Sequence, residues 1–324
     1  MPKKLFVKSS LTAVAAFALV AASSLSVKAD EYIGGWQDKY PTINYGVISL
    51  ETAVDIVKSQ KAFAAYAGKE LGVKFELFTA SEYAGIMNAL ISGQVQVGWL
   101  GASSYAGTYI DCKCVEPIAG AQDPKGGMGY NSVLIVKAGS SYKSEADLKG
   151  KTVARNDPHS TSGFTIPTVA WAERGESIDR YFKSPLSGGH QQTIVGVLNG
   201  TYDGGFTWTT KGDRIGGLRK MMDKGLLKRD QIRVVWTSPL IPTPPVVIRK
   251  DLPVSMKADL VKLFLRLDER QPEMARAVAQ GDTLGMQRVY HEDYVPVINA
   301  KIWLKKNRKK KKKEIGRASC RERV

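Results

Sequence analysis

The chain has 324 residues, 43% of them hydrophobic, and 47 Lys and Arg against 31 Asp and Glu give a formal net charge of +16. Four lysines before residue 30 hold part of this excess, and eleven basic residues against two glutamates after residue 304 hold most of the rest, so residues 30–304 retain only +3. A nucleic-acid-binding protein carries its positive charge as a patch on the folded domain. The charge of this chain therefore does not indicate a nucleic-acid partner.

Residues 1–29 have the three-part pattern of a secretory signal peptide. Three lysines precede an apolar run over residues 11–25, and cleavage is expected after Ala29. The run is shorter than the roughly 20 residues that a bilayer span needs. We therefore expect the leader to be removed and the mature protein to be periplasmic.

Short β-type runs alternate with helical stretches from residue 43 onward. Strands are predicted over residues 43–48, 73–78 and 95–99, and helices over 53–71, 81–91 and a short stretch through Tyr105. The helix over 53–71 is indicated by apolar residues at close to a 3.6-residue spacing, and Ser81 is expected to cap the next helix. Strands that alternate with helices of this length indicate parallel βαβ units.

The same alternation restarts after a strand-like run over residues 130–136. Further strands are predicted over residues 151–155, 203–208 and 232–236, and helices over 162–174, 190–198, 255–267 and 273–289. Pro167 is expected to bend the first of these helices. We predict an α/β fold with two lobes joined by two hinge strands, the first lobe over 30–133 and 243–304 and the second over 134–242.

The last twenty residues, 305–324, are interpreted as a basic, disordered tail. Like-charge runs of this kind are usually disordered, and residues 314–324 can be read as the translation of a common sequencing adapter, so we interpret the tail as an artefact. The alternative is a tail that binds nucleic acid or a membrane.

Two cysteines lie one residue apart, at Cys112 and Cys114, and the third, Cys320, falls in the tail. The pair can close a strained ring or bind a metal, but no Cys or His partner lies at zinc-like spacing. We expect two free thiols, and neither a metal nor a cofactor.

The segment most informative about function is Ser160-Thr161-Ser162, between a predicted strand and a predicted helix. Three hydroxyl groups beside the unpaired amides and partial positive charge of a helix start can bind an anion without Lys or Arg. The alternative is ordinary N-capping by Ser162. The hydroxyl groups therefore make this segment a candidate anion site.

A second candidate follows Gly188 and Gly189, which allow close approach of a ligand to the backbone. His190 comes next and can donate a hydrogen bond to an oxyanion. Tyr83 lies near the start of one predicted helix, and Tyr105 lies in the short helix that follows residues 99–104. Each can direct its phenol into a cleft. Each of these residues can equally be an ordinary structural group.

Five segments occur in the order and with the spacing found in the PhnD-like phosphate/phosphite/phosphonate periplasmic substrate-binding proteins of ABC transporters. They are residues 78–85, 99–105, 157–163, 188–190 and 197–203, and the chain resembles this family over about residues 43–300. The resemblance implies a type II periplasmic-binding fold. It also implies that Ser160, Thr161 and Ser162 hold a phosphoryl group with help from His190, and that Tyr83 and Tyr105 occupy the matching aromatic positions.

The sequence departs from the aminophosphonate binders, which place carboxylates against the ammonium group of the ligand. Approximate alignment puts Lys211 and Pro244 at those positions. A small shift in the alignment would let Asp213 supply one of the carboxylates instead. We therefore favour an alkylphosphonate, then phosphite, then phosphate. Replacing Lys211 by Glu should improve the binding of 2-aminoethylphosphonate.

The predicted function is capture of such an oxyanion for an ABC importer, by a monomer whose protein partner is the permease. One alternative is a periplasmic oxyanion sensor. Another is a hydrolase with Ser160 or Ser162 as nucleophile, His190 as base and Asp203 as orienting residue. No Gly-x-Ser-x-Gly or phosphate-binding Gly-x4-Gly-Lys motif is present, so we predict a binding protein and not an enzyme.

Overall fold

The computed structural model describes residues 32–48 and 53–321, with side chains at 53–56, at 59 and from 309 onward outside that description. The predicted signal peptide, residues 1–29, lies outside the described residues. Within the described ranges, no helix has the length and apolar character that a membrane crossing requires.

The described residues form eleven strands and eleven α-helices. The strands are β1 (Thr42–Val47), β2 (Lys74–Phe78), β3 (Val97–Trp99), β4 (Val115–Ala121), β5 (Gly129–Lys137), β6 (Val153–Ala154), β7 (Gly204–Thr209), β8 (Ile232–Thr237), β9 (Ile241–Pro242), β10 (Pro245–Arg249) and β11 (Met286–Gln287). The helices are α1 (Ala53–Leu71), α2 (Tyr83–Ser92), α3 (Ala102–Cys112), α4 (Ile166–Glu173), α5 (Ile178–Tyr181), α6 (His190–Leu198), α7 (Gly217–Asp223), α8 (Val254–Leu265), α9 (Leu267–Arg270), α10 (Pro272–Ala279) and α11 (Val295–Arg321).

The strands form two mixed sheets, each the centre of one lobe. The sheet of the first lobe has the order β11-β4-β10-β3-β1-β2, and that of the second has the order β6-β7-β5-β8, with β9 paired to β5. The parallel βαβ pattern holds for β1 with β2 and β3 and for β6 with β7, whereas β10 and β5 run antiparallel to their neighbours. Both sheets are therefore mixed, because strands that return from the other lobe insert in the opposite direction.

The chain crosses between the lobes twice, after β4 and after β8. The two crossings run side by side, since β9 pairs with the start of β5 and the Thr243 amide donates to the Met128 carbonyl at 3.1 Å. Prolines in the second crossing remove amide donors and stiffen it. Two lobes joined by two hinge strands are the predicted architecture, while the lobe boundaries at 133/134 and 242/243 stay a prediction.

Each lobe has an aromatic core that fixes its sheet against its helices. In the first lobe, Tyr45, Phe63 and Phe264 are fully buried, with ring centroids 5.5 to 6.2 Å apart. In the second, Trp171 and Phe206 pack edge to face at 5.6 Å. Such pairs contribute about 0.5–1.5 kcal/mol beyond their area burial, so they stabilise the packing of each sheet against its helices.

Several element predictions are confirmed and some are wrong. The bounds of α1 and α6 match the predicted helices at both ends, but Glu82, and not Ser81, is the N-cap residue of α2. The predicted helix over 273–289 is wrong beyond Ala279, because Gln280 adopts a left-handed conformation at φ 60° that ends α10. Pro167 is the second residue of α4, directly after a π-helical turn over Thr161–Thr165, and the bend expected there stays a prediction.

Two expectations about the ends and the cysteines are also corrected. The backbone of α11 is helical through Arg321 rather than disordered from Lys305, and Lys is a good helix former. Cys112 and Cys114 form a disulfide, not two free thiols. Lys113 caps α3 in a left-handed conformation at φ 57°, and this reversal brings the two side chains together.

Candidate ligand-binding site

Two helix starts face each other across the boundary between the lobes. One is the start of α3 in the first lobe, and the other is a π-helical turn, Thr161–Thr165, that continues into α4 in the second. The Ser103 amide donates to Thr161 Oγ1 at 2.8 Å, and the hydroxyls of Ser103 and Thr165 are 2.7 Å apart. Both helix starts therefore direct their partial positive charge toward one region.

The loop before the π-helical turn is held by a buried asparagine. Asn156 Nδ2 donates to Thr193 Oγ1 and to the Phe206 carbonyl at 3.1 and 2.8 Å. Among the described residues, its Oδ1 has no hydrogen-bond donor. Gly163 packs directly on this side chain, so that a Cβ at Gly163 would lie 2.3 Å from Asn156 Cγ. This contact requires glycine and fixes the position of the hydroxyl run.

The three hydroxyl residues are buried and play different local roles. Ser160 Oγ accepts a hydrogen bond from the Gly163 amide at 3.1 Å, so the capping residue is Ser160 and not Ser162. Among the described residues, no acceptor is found for the amides of Thr161 and Ser162, which are first-turn donors. The turn thus combines capping with two amides that remain available to a ligand.

His190 is the first residue of α6 and completes the cluster. Its Nδ1 lies 3.1 Å from Thr207 Oγ1, and its Nε2 lies 3.5 Å from Ser160 Oγ. Complete burial lowers the pKa of His190 to about 3. The imidazole is therefore neutral at neutral pH and can donate one hydrogen bond without adding a charge.

These residues line a hollow between the lobes, here named the first hollow, with a free volume of about 20 Å³. Tyr83 and Trp99 of the first lobe, Trp208 of the second and Tyr130 at the start of β5 complete its wall. A single water needs about 10–15 Å³, so the lobes are closed tightly here. An anion of several heavy atoms must therefore enter through an opening of the lobes.

Buried donors without acceptors cluster around the first hollow. Tyr83 Oη, Trp99 Nε1 and Trp208 Nε1 have no hydrogen-bond partner among the described residues. Burial raises the pKa of Tyr83, with the carboxylate of Asp157 as the second cause, so its phenol keeps its proton. Buried polar groups are normally paired, and several unpaired donors at one place indicate a ligand that accepts hydrogen bonds.

The structure brings together most of the predicted residues but not all. Ser160, Thr161, Ser162, His190 and Tyr83 all line the first hollow.

Tyr105 does not line it. It lies on the buried face of α3, where its hydroxyl is 2.7 Å from His291 Nδ1 and its ring packs on Tyr294. Tyr130, at the start of β5, occupies the wall of the hollow instead. Burial raises the pKa of Tyr130 to about 12, while the nearby hydroxyls of Thr161 and Ser162 act in the opposite direction.

The two suggested specificity residues also lie elsewhere. Lys211 is exposed. Asp213 accepts a hydrogen bond from Thr209 Oγ1 at 2.8 Å and forms an ion pair with Arg229. Neither lines the hollow, whereas Pro244 does.

The sequence prediction missed Trp99, Tyr130 and Trp208. Trp99 ends β3 and Trp208 lies one residue before the end of β7, and each of these strands runs parallel to a neighbour. Open α/β sheets bind ligands outside the carboxyl ends of such strands. The predicted strands over 95–99 and 203–208 end at Trp99 and Trp208, so this rule could have identified these two residues from the sequence.

The hydrolase alternative does not fit this geometry. Asp203 accepts hydrogen bonds from the Tyr142 hydroxyl and the Thr152 amide at 2.7 and 2.9 Å. The partner of His190 Nδ1 is the Thr207 hydroxyl and not a carboxylate. The orienting carboxylate of a catalytic triad is thus missing from the described surroundings of His190.

The two lobes and the donor-lined hollow between them define the class of two-lobed solute-binding proteins. A family model described as ABC transporter, phosphonate, periplasmic substrate-binding protein matches residues 45–294. The chain belongs to this family, whose members are binding components of transporters and not enzymes.

Known relatives support the assignment. The phosphonates-binding periplasmic protein of Escherichia coli strain K12 is 30% identical over 266 residues, which cover 81% of this chain and 76% of that protein. The phosphate-import protein PhnD of Mycolicibacterium smegmatis is 32% identical over 62% of this chain and 64% of its own length. The crystal structure of a binding protein component of an ABC phosphonate transporter from Pseudomonas aeruginosa has a TM-score of 0.72 at 26% identity, covering 81% of this chain and 86% of that chain. The type II two-lobed fold predicted from the sequence is confirmed.

Proposed function

We propose that the protein captures a small phosphorus oxyanion in the periplasm, after removal of residues 1–29, and delivers it to the permease of an ABC importer as a monomer. The proposed order of preference is alkylphosphonate, then phosphite, then phosphate. The relatives span this range, since one is a phosphonates-binding protein and another a phosphate-import protein.

The observation that carries the proposal is the set of converging, neutral donors in the first hollow. Hydroxyls, first-turn amides and indole N–H groups surround it, and none of its described lining residues is Lys or Arg. A helix start contributes about 0.3–2 kcal/mol to anion binding, so two starts and several hydroxyls together can hold a tetrahedral oxyanion. Burial strengthens each of these hydrogen bonds by lowering the local dielectric constant.

Closure of the lobes follows from the distribution of the donors. Ser160 to Ser162 and His190 belong to the second lobe, whereas Tyr83 and Trp99 belong to the first. A ligand that contacts both sets binds the closed form better than the open form, and it therefore shifts the population toward closure.

A calorimetric and thermal-shift comparison of methylphosphonate, phosphite, phosphate and sulfate tests the proposal. A tight ligand raises the melting temperature by mass action, and we expect methylphosphonate to give the largest shift and sulfate the smallest. A response to sulfate alone, or to none of the four, contradicts the proposed ligand class.

A further inference from the structure

The loop over residues 157–159 lies between β6 and the π-helical turn, directly before the hydroxyl run of the first hollow. β6 belongs to the sheet of the second lobe. Each of the three loop residues nevertheless interacts with a helix of the first lobe, and the three helices are α2, α3 and α11. The loop is therefore a place outside the wall of the first hollow where the two lobes hold each other.

The contact from α11 is made by an ammonium group. Lys301 Nζ donates a hydrogen bond to the Pro158 carbonyl at 3.0 Å. α11 packs against α3, and its residues Val297 and Ile298 are buried in a hydrophobic cluster of the first lobe. The side chain of Lys301 therefore reaches from the first lobe to the second.

Two further contacts flank this one. Ser104 Oγ, in the first turn of α3, donates to the His159 carbonyl at 3.1 Å. The Asp157 carboxylate accepts a hydrogen bond from the His159 amide at 2.6 Å. Burial raises the pKa of Asp157, while the His159 amide, the charge of Lys301 and the backbone of Tyr83 at the start of α2 act in the opposite direction. Three successive loop residues are thus held from the first lobe.

The position of Lys301 is costly for a charged group. Burial lowers the pKa of Lys301 to about 8, and the nearby Asp157 carboxylate acts in the opposite direction. The side chain therefore keeps its charge at neutral pH. An ammonium group has three donors, and the Pro158 carbonyl is the one hydrogen-bond acceptor found for them among the described residues. Burial of an incompletely paired charge costs free energy, so packing alone does not account for a lysine here.

We propose that Lys301 is a positioning residue for oxyanion capture, which binds the Pro158 carbonyl and thereby keeps the hydroxyl run against the first lobe while the ligand is held. This inference rests on the proposed function. Lys301 does not line the first hollow, so it acts on the closed form and not on the ligand. Its hydrogen bond must break when the lobes open, and ligand release is therefore slower with it than without it. Ser104 acts in the same way but more weakly, because its hydrogen bond joins neutral groups.

The test measures how fast the ligand is released. Trp99 and Trp208 line the first hollow, so stopped-flow tryptophan fluorescence follows binding and release on the full mature chain. The probe is the tightest ligand among methylphosphonate, phosphite and phosphate. Lys301→Met keeps the length of the side chain and removes its donors. We expect its dissociation rate to rise about tenfold or more, as for the loss of a hydrogen bond from a charged group, and its association rate constant to change little.

Three further variants separate the hydrogen bond from other effects. Lys301→Arg keeps a charged donor and should restore most of the slow release. Ser104→Ala removes the neighbouring hydrogen bond and should raise the dissociation rate about two- to tenfold. Lys61→Met, at an exposed position of α1, removes the same charge elsewhere in the first lobe and is the matched control that should keep the wild-type rates.

An unchanged dissociation rate in Lys301→Met overturns the inference and leaves the proposed function intact. Slower association with unchanged dissociation also overturns it, since that result is typical of a charge that only attracts the ligand. Faster release that Lys301→Arg does not restore overturns it too, because the shape of the side chain and not its donor is then responsible.

The Ser104→Ala variant decides the question if Lys301→Met does not fold, since a wild-type release rate in Ser104→Ala then overturns the inference. Failure of the wild-type protein to bind methylphosphonate, phosphite and phosphate overturns the proposed function, and the inference with it.

Discussion

The Ser103 amide at the start of α3 donates a 2.8 Å hydrogen bond to Thr161 Oγ1 in the opposite lobe. Thr161 therefore contributes to lobe contact and to the wall of the first hollow at the same time. The same hydroxyl therefore takes part in ligand binding and in closure of the two lobes.

Replacing Thr161 by Val should weaken oxyanion binding about tenfold, because the buried Ser103 amide loses its acceptor and the closed form is destabilised. The valine has the same shape, so the fold should persist. Calorimetry with methylphosphonate measures the effect, and Thr201→Val at an exposed position is the control. Unchanged affinity in Thr161→Val contradicts the role given to this contact.

Gly163→Ala should abolish binding and lower the free energy of unfolding by about 1–3 kcal/mol, as is typical of overpacking. The added methyl group meets the Asn156 side chain at 2.3 to 2.5 Å. Gly139→Ala is the matched control, because a Cβ there meets nothing within 4 Å. Urea denaturation of both variants checks the expectation, and equal stability would show that the loop can shift at no cost.

Acidification below pH 6.5 should destabilise the ligand-free protein, in part through His190. The unfolded chain binds a proton at this imidazole near pH 6.5, whereas burial holds the pKa of the folded group at about 3. Above pH 6.5 the imidazole is neutral in both states and costs no stability. Below pH 6.5 only the unfolded chain takes up the proton, so the free energy of unfolding falls as the pH drops, with a slope that approaches about 1.4 kcal/mol per pH unit. Unfolding free energies between pH 7.5 and 5.5 should decline less steeply in His190→Gln, and equal slopes contradict the prediction.

Lys211→Glu should leave the affinity for 2-aminoethylphosphonate unchanged within about twofold, which is the scale of an exposed charge. The alignment predicts a gain instead. Lys211 is exposed and lies outside the first hollow, so a carboxylate there does not reach the ligand. A clear gain in calorimetric affinity would show that the alignment, and not the observed placement, identifies the amine position.

Local patterns predicted those features of the fold that depend on neighbours in sequence. The 3.6-residue spacing predicted the bounds of α1. Hydroxyl groups at a predicted helix start made Ser160 to Ser162 a candidate anion site. Tyr105 and Tyr130 could not be told apart, since only the tertiary packing turns one toward His291 and the other toward the hollow.

The lack of cationic side chains among the described residues of the first hollow has a consequence for the ionic environment. Dissolved salt screens exposed charges over about 8–10 Å at moderate ionic strength, but it acts weakly on buried dipoles. A ligand held by amides, hydroxyls and indoles is therefore retained with nearly the same strength in dilute and in concentrated salt.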